Sequence, residues 1–191
     1  VLSDQSIISH ILQMGAPIDG ENSSDEFGMN LSCNTDGTII AIAARKHDSN
    51  KGHVRIYEWD GNSWQQMGAD IDGEVTGDYS GRSVSLNANG KIVAIGAHHH
   101  DGTKGHVRIY DYVKNRNPEW KKIGNDIDGE AAVDYSGYSV SLSNDGKIVA
   151  IGAYYNDGIN GTNSGHVRVY DYVEGRNPEW DQLGTDIDGE N

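Results

Sequence analysis

The chain has 191 residues, of which 36% are hydrophobic, 25 are Gly and 3 are Pro, and its formal charge is -14. An acidic surface of this kind argues against nucleic acid, whose phosphates need basic partners, and favours cations or basic protein surfaces. Cys33 is the one cysteine, so no intrachain disulfide can form, and no apolar run reaches the roughly 18 residues needed to span a bilayer.

The chain opens at Val1 without an initiator Met or a secretory signal, and is expected to be processed, trimmed or cut from something longer. Residues 1–10 read as an irregular terminus. A weak helical period at Ser6–Gln13 ends in the phase of a strand, so residues 11–18 read as a lone strand. From there one unit recurs. Gly68-Ala69-Asp70-Ile71-Asp72-Gly73-Glu74 returns at 124–130 and 184–190, with a looser copy at 15–21. The leading glycines 15, 68, 124 and 184 are 53, 56 and 60 residues apart, a period typical of modules that bury their faces on each other.

Within the clearest copy, Ser83-Val84-Ser85-Leu86 alternates polar and apolar, and Asn87-Ala88-Asn89-Gly90 is turn chemistry of the tight type I′ class. Lys91–Ala97 is nearly all apolar and β-branched, as a strand covered on both faces requires. After a loop at 98–104, Val107 and Ile109 point one way and His106, Arg108 and Tyr110 the other. A turn at 115–118 leads to a fourth strand, 120–123. Four short strands joined in order make an antiparallel meander, and the predicted fold is all-β, a β-propeller of four-stranded blades. The divisions are 11–66 (the lone strand and blade one), 67–122 (blade two), 123–182 (blade three) and 183–191 (a repeat-end segment). Cys33 fills the slot of Leu86 and Leu142 and is expected to be a small buried residue; Trp64, Trp120 and Trp180 are expected to pack between strands.

These residues resemble the FG-GAP repeats of integrin alpha-subunit propellers. Phe27-Gly28 matches the first half of the motif, with Ser80-Gly81 and Ser136-Gly137 as degraded copies. Gly96-Ala97 and Gly152-Ala153 match the second half, with Ala43-Ala44 in the first copy. Gly-His-Val-Arg-[Ile/Val]-Tyr at 52–57, 105–110 and 165–170 is similar to the family's third strand. The resemblance covers about residues 11–191 and implies a recognition or adhesion module outside the cytoplasm. It also implies a calcium loop between the first two strands. The hairpins 34–37, 87–90 and 143–146 are too short and too poor in carboxylates for that role.

Three blades cannot close a ring, since closed propellers need at least about four. The chain is therefore expected to be a fragment of a larger propeller. The alternative is self-association through open blade edges, with 11–18 completing a neighbour's blade.

Successive connections in a meander alternate between rims, so the loops after each second strand share a rim with the blade junctions. The loops bring His47, His98, His99, His100, Asp101, Tyr154, Tyr155 and Asp157, and a constant frame with divergent loops is a usual binding surface. The junctions bring Asp70, Asp72, Glu74 and Asp78, then Asp126, Asp128, Glu130 and Asp134. Carboxylates at i, i+2 and i+4 share a face of an extended segment and with a later Asp could hold Ca²⁺; alternatively Asp and Gly simply turn the chain between blades. The three consecutive histidines invite a transition-metal reading, against that of a polar loop, and Tyr154-Tyr155 invites stacking on sugar or peptide.

His53, His106 and His166 recur beside Arg55, Arg108 and Arg168 and suggest a structural network with residues 58, 111 and 171. Sequons stand at Asn22, Asn30 and Asn160. No nucleophile elbow, phosphate loop or zinc motif is present. The expected function is non-enzymatic recognition of a protein or glycan. An architectural subunit is the second reading, and a propeller-type glycan lyase or hydrolase the third.

Overall fold

The computed structural model describes residues 13–158, 161–176 and 179–190. Residues 1–12, which include the expected irregular terminus and the opening of the expected strand at 11–18, lie outside that set, as does Asn160. Residues 13–29 carry no strand.

The described residues form three antiparallel sheets of one design. The first comprises β1 (Asn30–Cys33), β2 (Ile39–Ala44), β3 (His53–Trp59), β4 (Trp64–Gln66) and β5 (Ile71–Asp72). The second comprises β6 (Ser83–Leu86), β7 (Ile92–Ala97), β8 (His106–Val113), β9 (Glu119–Lys122) and β10 (Ile127–Asp128). In the third are β11 (Ser139–Leu142), β12 (Ile148–Ala153), β13 (His166–Tyr172), β14 (Trp180–Gln182) and β15 (Ile187–Asp188). The architecture is all-β and propeller-like, and no sheet closes on itself.

The fourth strand of each sheet is broken, and the break explains the repeated motif. β4 pairs with the far half of β3, Trp64 opposite Trp59. The chain then bulges through Gly68 at φ 73, and β5 resumes the pairing with Ile71 opposite Val54. Gly124 does the same at φ 70, where an added Cβ would lie 2.5 Å from Trp180 Cδ1. Ile71 and Ile127 pin the resumed strand into the core at 5% exposure each. Gly73 follows where a Cβ would meet the Lys51 carbonyl. The motif thus bends the fourth strand, re-anchors it and lets it pass close to the preceding loop.

Alternation sends each strand's residues to two interfaces. Val93 and Ile95 of β7 pack against Val54, Ile56, Met67 and Ile71 of the first sheet. Ala94 of β7, with Val107, Ile109 and Ile127, packs against Val149, Ile151, Tyr170 and Trp180 of the third. A strand with two buried faces has no place for polar residues, hence the continuous apolar run. Trp120 Nε1 donates to the Met67 carbonyl at 2.7 Å and Trp180 Nε1 to Ile123 at 3.1 Å, so these tryptophans bridge sheets as well as strands. Trp64 Nε1 donates in the same way to Met14, at 3.0 Å, so the segment before β1 takes the place of a preceding fourth strand.

Three expectations are corrected here. In 34–37 Gly37 alone has positive φ, and its N–H donates to the Asn34 carbonyl; the turn is therefore a type I turn ending in a left-handed glycine, not type I′. Cys33 is exposed, because it lies in the first sheet and no other sheet among the described residues covers it, whereas Leu86 is covered by that first sheet. Glu58 pairs with Lys91 rather than with the His53–Arg55 pair. Residues 55 and 58 differ by an odd number and so face opposite sides of a strand.

Candidate functional site

The two junctions that connect successive sheets are each clamped between the loops of the sheets that they join. Tyr79 N–H donates to Asn50 at 2.8 Å and Ser80 N–H to Lys51 at 3.1 Å; Tyr135 and Ser136 donate to Thr103 and Lys104 at 3.0 Å each. On the other side a buried junction carboxylate takes hold of the next loop. Asp25 Oδ2 lies 2.8 Å from His47 Nδ1, Asp78 Oδ2 lies 2.9 Å from His100 Nδ1, and Asp134 Oδ2 accepts from Asn156 Nδ2 at 3.0 Å. Asp78 also accepts from Val75 N–H and Asp134 from Ala131 N–H, which folds the junction back on itself. The hydrogen bond from His47 holds the Asp25 carboxyl below its ordinary range. The loops 47–50 and 100–103 close as single turns in the left-handed region, with Asp48 at φ 48 and Asp101 at φ 47.

The acidic motif is divided among several partners. Asp70 accepts from Arg55 Nε at 3.1 Å and from Gln66 at 2.7 Å; Glu74 faces Arg108 at 3.2 Å and Glu130 faces Arg168 at 3.6 Å. Asp126 pairs with Lys122. Asp72 and Asp128 expose their side chains and accept through their carbonyls from Arg108 and Arg168, each at 3.0 Å. Among the described residues no triad of metal-ligating side chains is drawn from Asp70, Asp72 and Asp78 or from Asp126, Asp128 and Asp134. The groups that do converge are Glu21–His47–His53, Glu74–His100–His106 and Glu130–His166–Asp186. Thus the partners of the recurring His and Arg are the motif's own acids. Burial pushes His53 below its usual pKa and His106 down to about 3.

The consecutive histidines separate in role. His100 joins the junction, whereas His98 and His99 turn to the other side of the loop and enter an aromatic cluster. His98 lies 5.8 Å from Tyr79, 5.8 Å from Tyr135 and 5.5 Å from Tyr138, ring to ring, and His99 lies 4.8 Å from Tyr79 and 5.5 Å from Tyr135. Tyr154 and Tyr155 extend it, 4.3 Å from Tyr138 and 5.5 Å from Tyr135. The Arg82 guanidinium caps Tyr138 at 3.6 Å. Burial pushes His98 down to about 3 and also lowers His99, so both rings are neutral near pH 7. Tyr154 and Tyr155 stay open to solvent at 46% and 41% exposure. Sequence reasoning missed Tyr79, Tyr135, Tyr138 and Arg82. The signal for them is the junction spacing, since Tyr79 and Tyr135 each directly follow the pinning aspartate. Both tyrosines sit at φ 55, a conformation that costs energy outside glycine.

Asp101 is exposed on an open cleft of about 400 Å³ between the 75–78 junction and the 99–102 loop. Asp157 accepts from Asn163 N–H at 2.8 Å. Asn30 of the second sequon is a β1 residue paired with Ala43, with its amide nitrogen buried.

Residues 127–170, from β10 to the Tyr170 position of β13, match the FG-GAP repeat family. Over this span the chain is similar to an FG-GAP repeat. The match covers one junction and three strands of the third sheet, and the other two sheets share its strand order and register. Comparison with curated proteins finds no match. Among solved structures, a candidate 6-phosphogluconolactonase from Bacteroides uniformis is similar over 84% of this chain and 40% of its own, with a TM-score of 0.56 and 14% identity. KlAtg21, in complex with the coiled coil of AgAtg16, is similar over 84% of this chain and 58% of its own (TM-score 0.48, 10% identity). TolB from Acinetobacter baumannii is similar over 82% and 32% (TM-score 0.46, 14% identity). The first of these likenesses is one of fold. The chain spans less than two thirds of each of these proteins. Among its described residues no helix is long and apolar enough to cross a membrane.

Proposed function

We propose that the chain is part of a non-enzymatic recognition module that acts outside the cytoplasm and binds a protein or glycan through the rim bearing its aromatic cluster. The observation that carries this reading is the continuous run of rings from Tyr79 through His98, His99, Tyr135 and Tyr138 to the exposed Tyr154 and Tyr155. Rings with polar tips give a large contact area at little loss of side-chain freedom, and they stack on sugar faces as readily as on peptide side chains. The strained backbone at Tyr79 and Tyr135, kept by hydrogen bonds to the previous loop, supports the same reading. The placement outside the cytoplasm rests on the FG-GAP resemblance together with the acidic charge. In a combined glycan and peptide array, ligands of the wild-type chain should lose about tenfold or more in affinity in the Tyr154→Ala/Tyr155→Ala variant. Retention of every ligand by that variant would refute the reading.

A second reading, an architectural subunit joined through its open end, has its own support. Val167 and Ile187 are exposed by 37% and 62%, whereas the equivalent Val107 and Ile127 are 0% and 5% exposed beneath the third sheet. This face carries the residues of an internal interface and no covering sheet.

A further inference from the structure

We propose that the first two junctions are binding sites for a borderline divalent cation of the Zn²⁺ class. The ligands would be Glu21, His47 and His53 in one, and Glu74, His100 and His106 in the other. In each trio the ligating atoms lie within 4.8 Å of one another. Two imidazoles and one carboxylate suit Zn²⁺, Ni²⁺ or Cu²⁺ and are a poor set for Ca²⁺ or Mg²⁺, which want oxygen throughout.

The hydrogen bonding favours this chemistry. A carboxylate can only accept, so Asp78, 2.9 Å from His100 Nδ1, keeps the proton on that nitrogen and leaves Nε2 with its lone pair free. Asp25 does the same for His47, whose Nε2 lies 3.8 Å from Glu21 Oε2. A carboxylate behind a histidine is the usual outer support of a metal-bound imidazole, fixing its tautomer and its aim. Each glutamate is oriented by an arginine on Oε1, Arg55 for Glu21 and Arg108 for Glu74, which leaves the second oxygen for an ion.

An independent observation comes from the inner histidines. His106 is 0% exposed, yet neither ring nitrogen is hydrogen-bonded, Asp126 standing 3.8 Å from Nδ1, and His53 is 1% exposed with no hydrogen bond at Nδ1, 3.6 Å from Asp70. Buried polar nitrogens in native proteins are nearly always satisfied, and an ion would satisfy one nitrogen of each ring. The outer ring stacks on the inner one in the second junction, with centroids 4.0 Å apart, and lies tilted over it at 4.2 Å in the first. Lone pairs lie in the ring planes, so binding requires the part-exposed outer ring to tilt off that stack.

The third junction is an internal control. Asn156 stands where His47 and His100 stand, and its amide donates to Asp134. The group left there, Glu130–His166–Asp186, has a single imidazole. Three protein ligands leave a fourth position open for water or a partner's side chain, so an ion would tie each junction to the sheet that follows it and present a coordination site at the rim.

The test is titration calorimetry of the untagged, chelator-stripped chain with ZnCl₂, alongside thermal melts. Two equivalents of Zn²⁺ at micromolar affinity and a raised melting temperature are expected. His100→Asn copies the third junction's own residue and should remove one equivalent; His47→Asn/His100→Asn should remove both. His99→Asn should keep both, and CaCl₂ should give no saturable heat. Absence of saturable Zn²⁺ binding by the wild-type chain, or binding left intact in the double variant, would overturn the proposal.

Discussion

Trp120 donates its indole N–H across a sheet boundary to the Met67 carbonyl, and Trp120→Phe removes that donor while keeping most of the ring. The expected loss is about 1–3 kcal/mol, part from the hydrogen bond and part from lost volume, read as a lower urea midpoint with an unchanged m-value. His98 adds a pH dependence. Burial holds its pKa at about 3, while the unfolded chain takes a proton near the ordinary histidine value of 6.5. The unfolded state thus binds more protons below that value, so stability is complete above it and falls as the pH drops from 6.5 towards 3. In EDTA the urea midpoint should be lower at about pH 5 than at about pH 7.5, and His98→Gln should reduce the difference, the remainder belonging to the other buried histidines such as His106. An unchanged slope in that variant would place the titration elsewhere. At this scale the sequence was partly misleading. It marked His106 and Arg108 as a recurring pair but assigned Asp111, an odd number of positions from Arg108, as a partner. Glu74 and Asp126 are supplied by motifs on either side of the sheet, at separations that no local pattern reveals.

Among elements, the broken fourth strand is the feature that a linear reading could not see. Trp64–Gln66 and Ile71–Asp72 read as a strand followed by a turn, because the pairing of Ile71 with Val54 depends on a bulge. Gly124 is the cleanest probe of that bulge. Gly124→Ala imposes a side chain at φ 70 and directs its Cβ at the Trp180 ring, so a loss of more than about 1 kcal/mol is expected in urea unfolding. By contrast, the first three strands of each sheet were legible from alternation and from apolar runs such as Ile92–Ala97. The rim loops were legible as to place but not as to partner. Three consecutive histidines look alike in sequence, yet backbone turning sends His98 and His99 to the aromatic cluster and His100 to Asp78.

For the whole molecule, the roughly 55-residue beat established the stacked sheets, while the environment of the end sheets depended on what lies beyond them. Cys33 and Ile187 occupy positions that are covered in the second sheet and are exposed here, since each belongs to an outermost face. If the open face mediates association, sedimentation of the wild-type chain should show oligomers, and Ile187→Asp should shift the mass to the monomer. A wild-type chain that stays monomeric at high concentration would dismiss the architectural reading. The larger claim is that a constant frame carries separately pinned rim loops, each held by one buried junction carboxylate. Hydrogen exchange of the Asp78→Ala variant tests it most directly. Faster exchange is expected to be confined to the 75–82 junction and the 98–105 loop, with 45–52 and the 154–158 loop protected as in the wild type. Unchanged exchange at 98–105, or loosening spread evenly over all three rim loops, would contradict it.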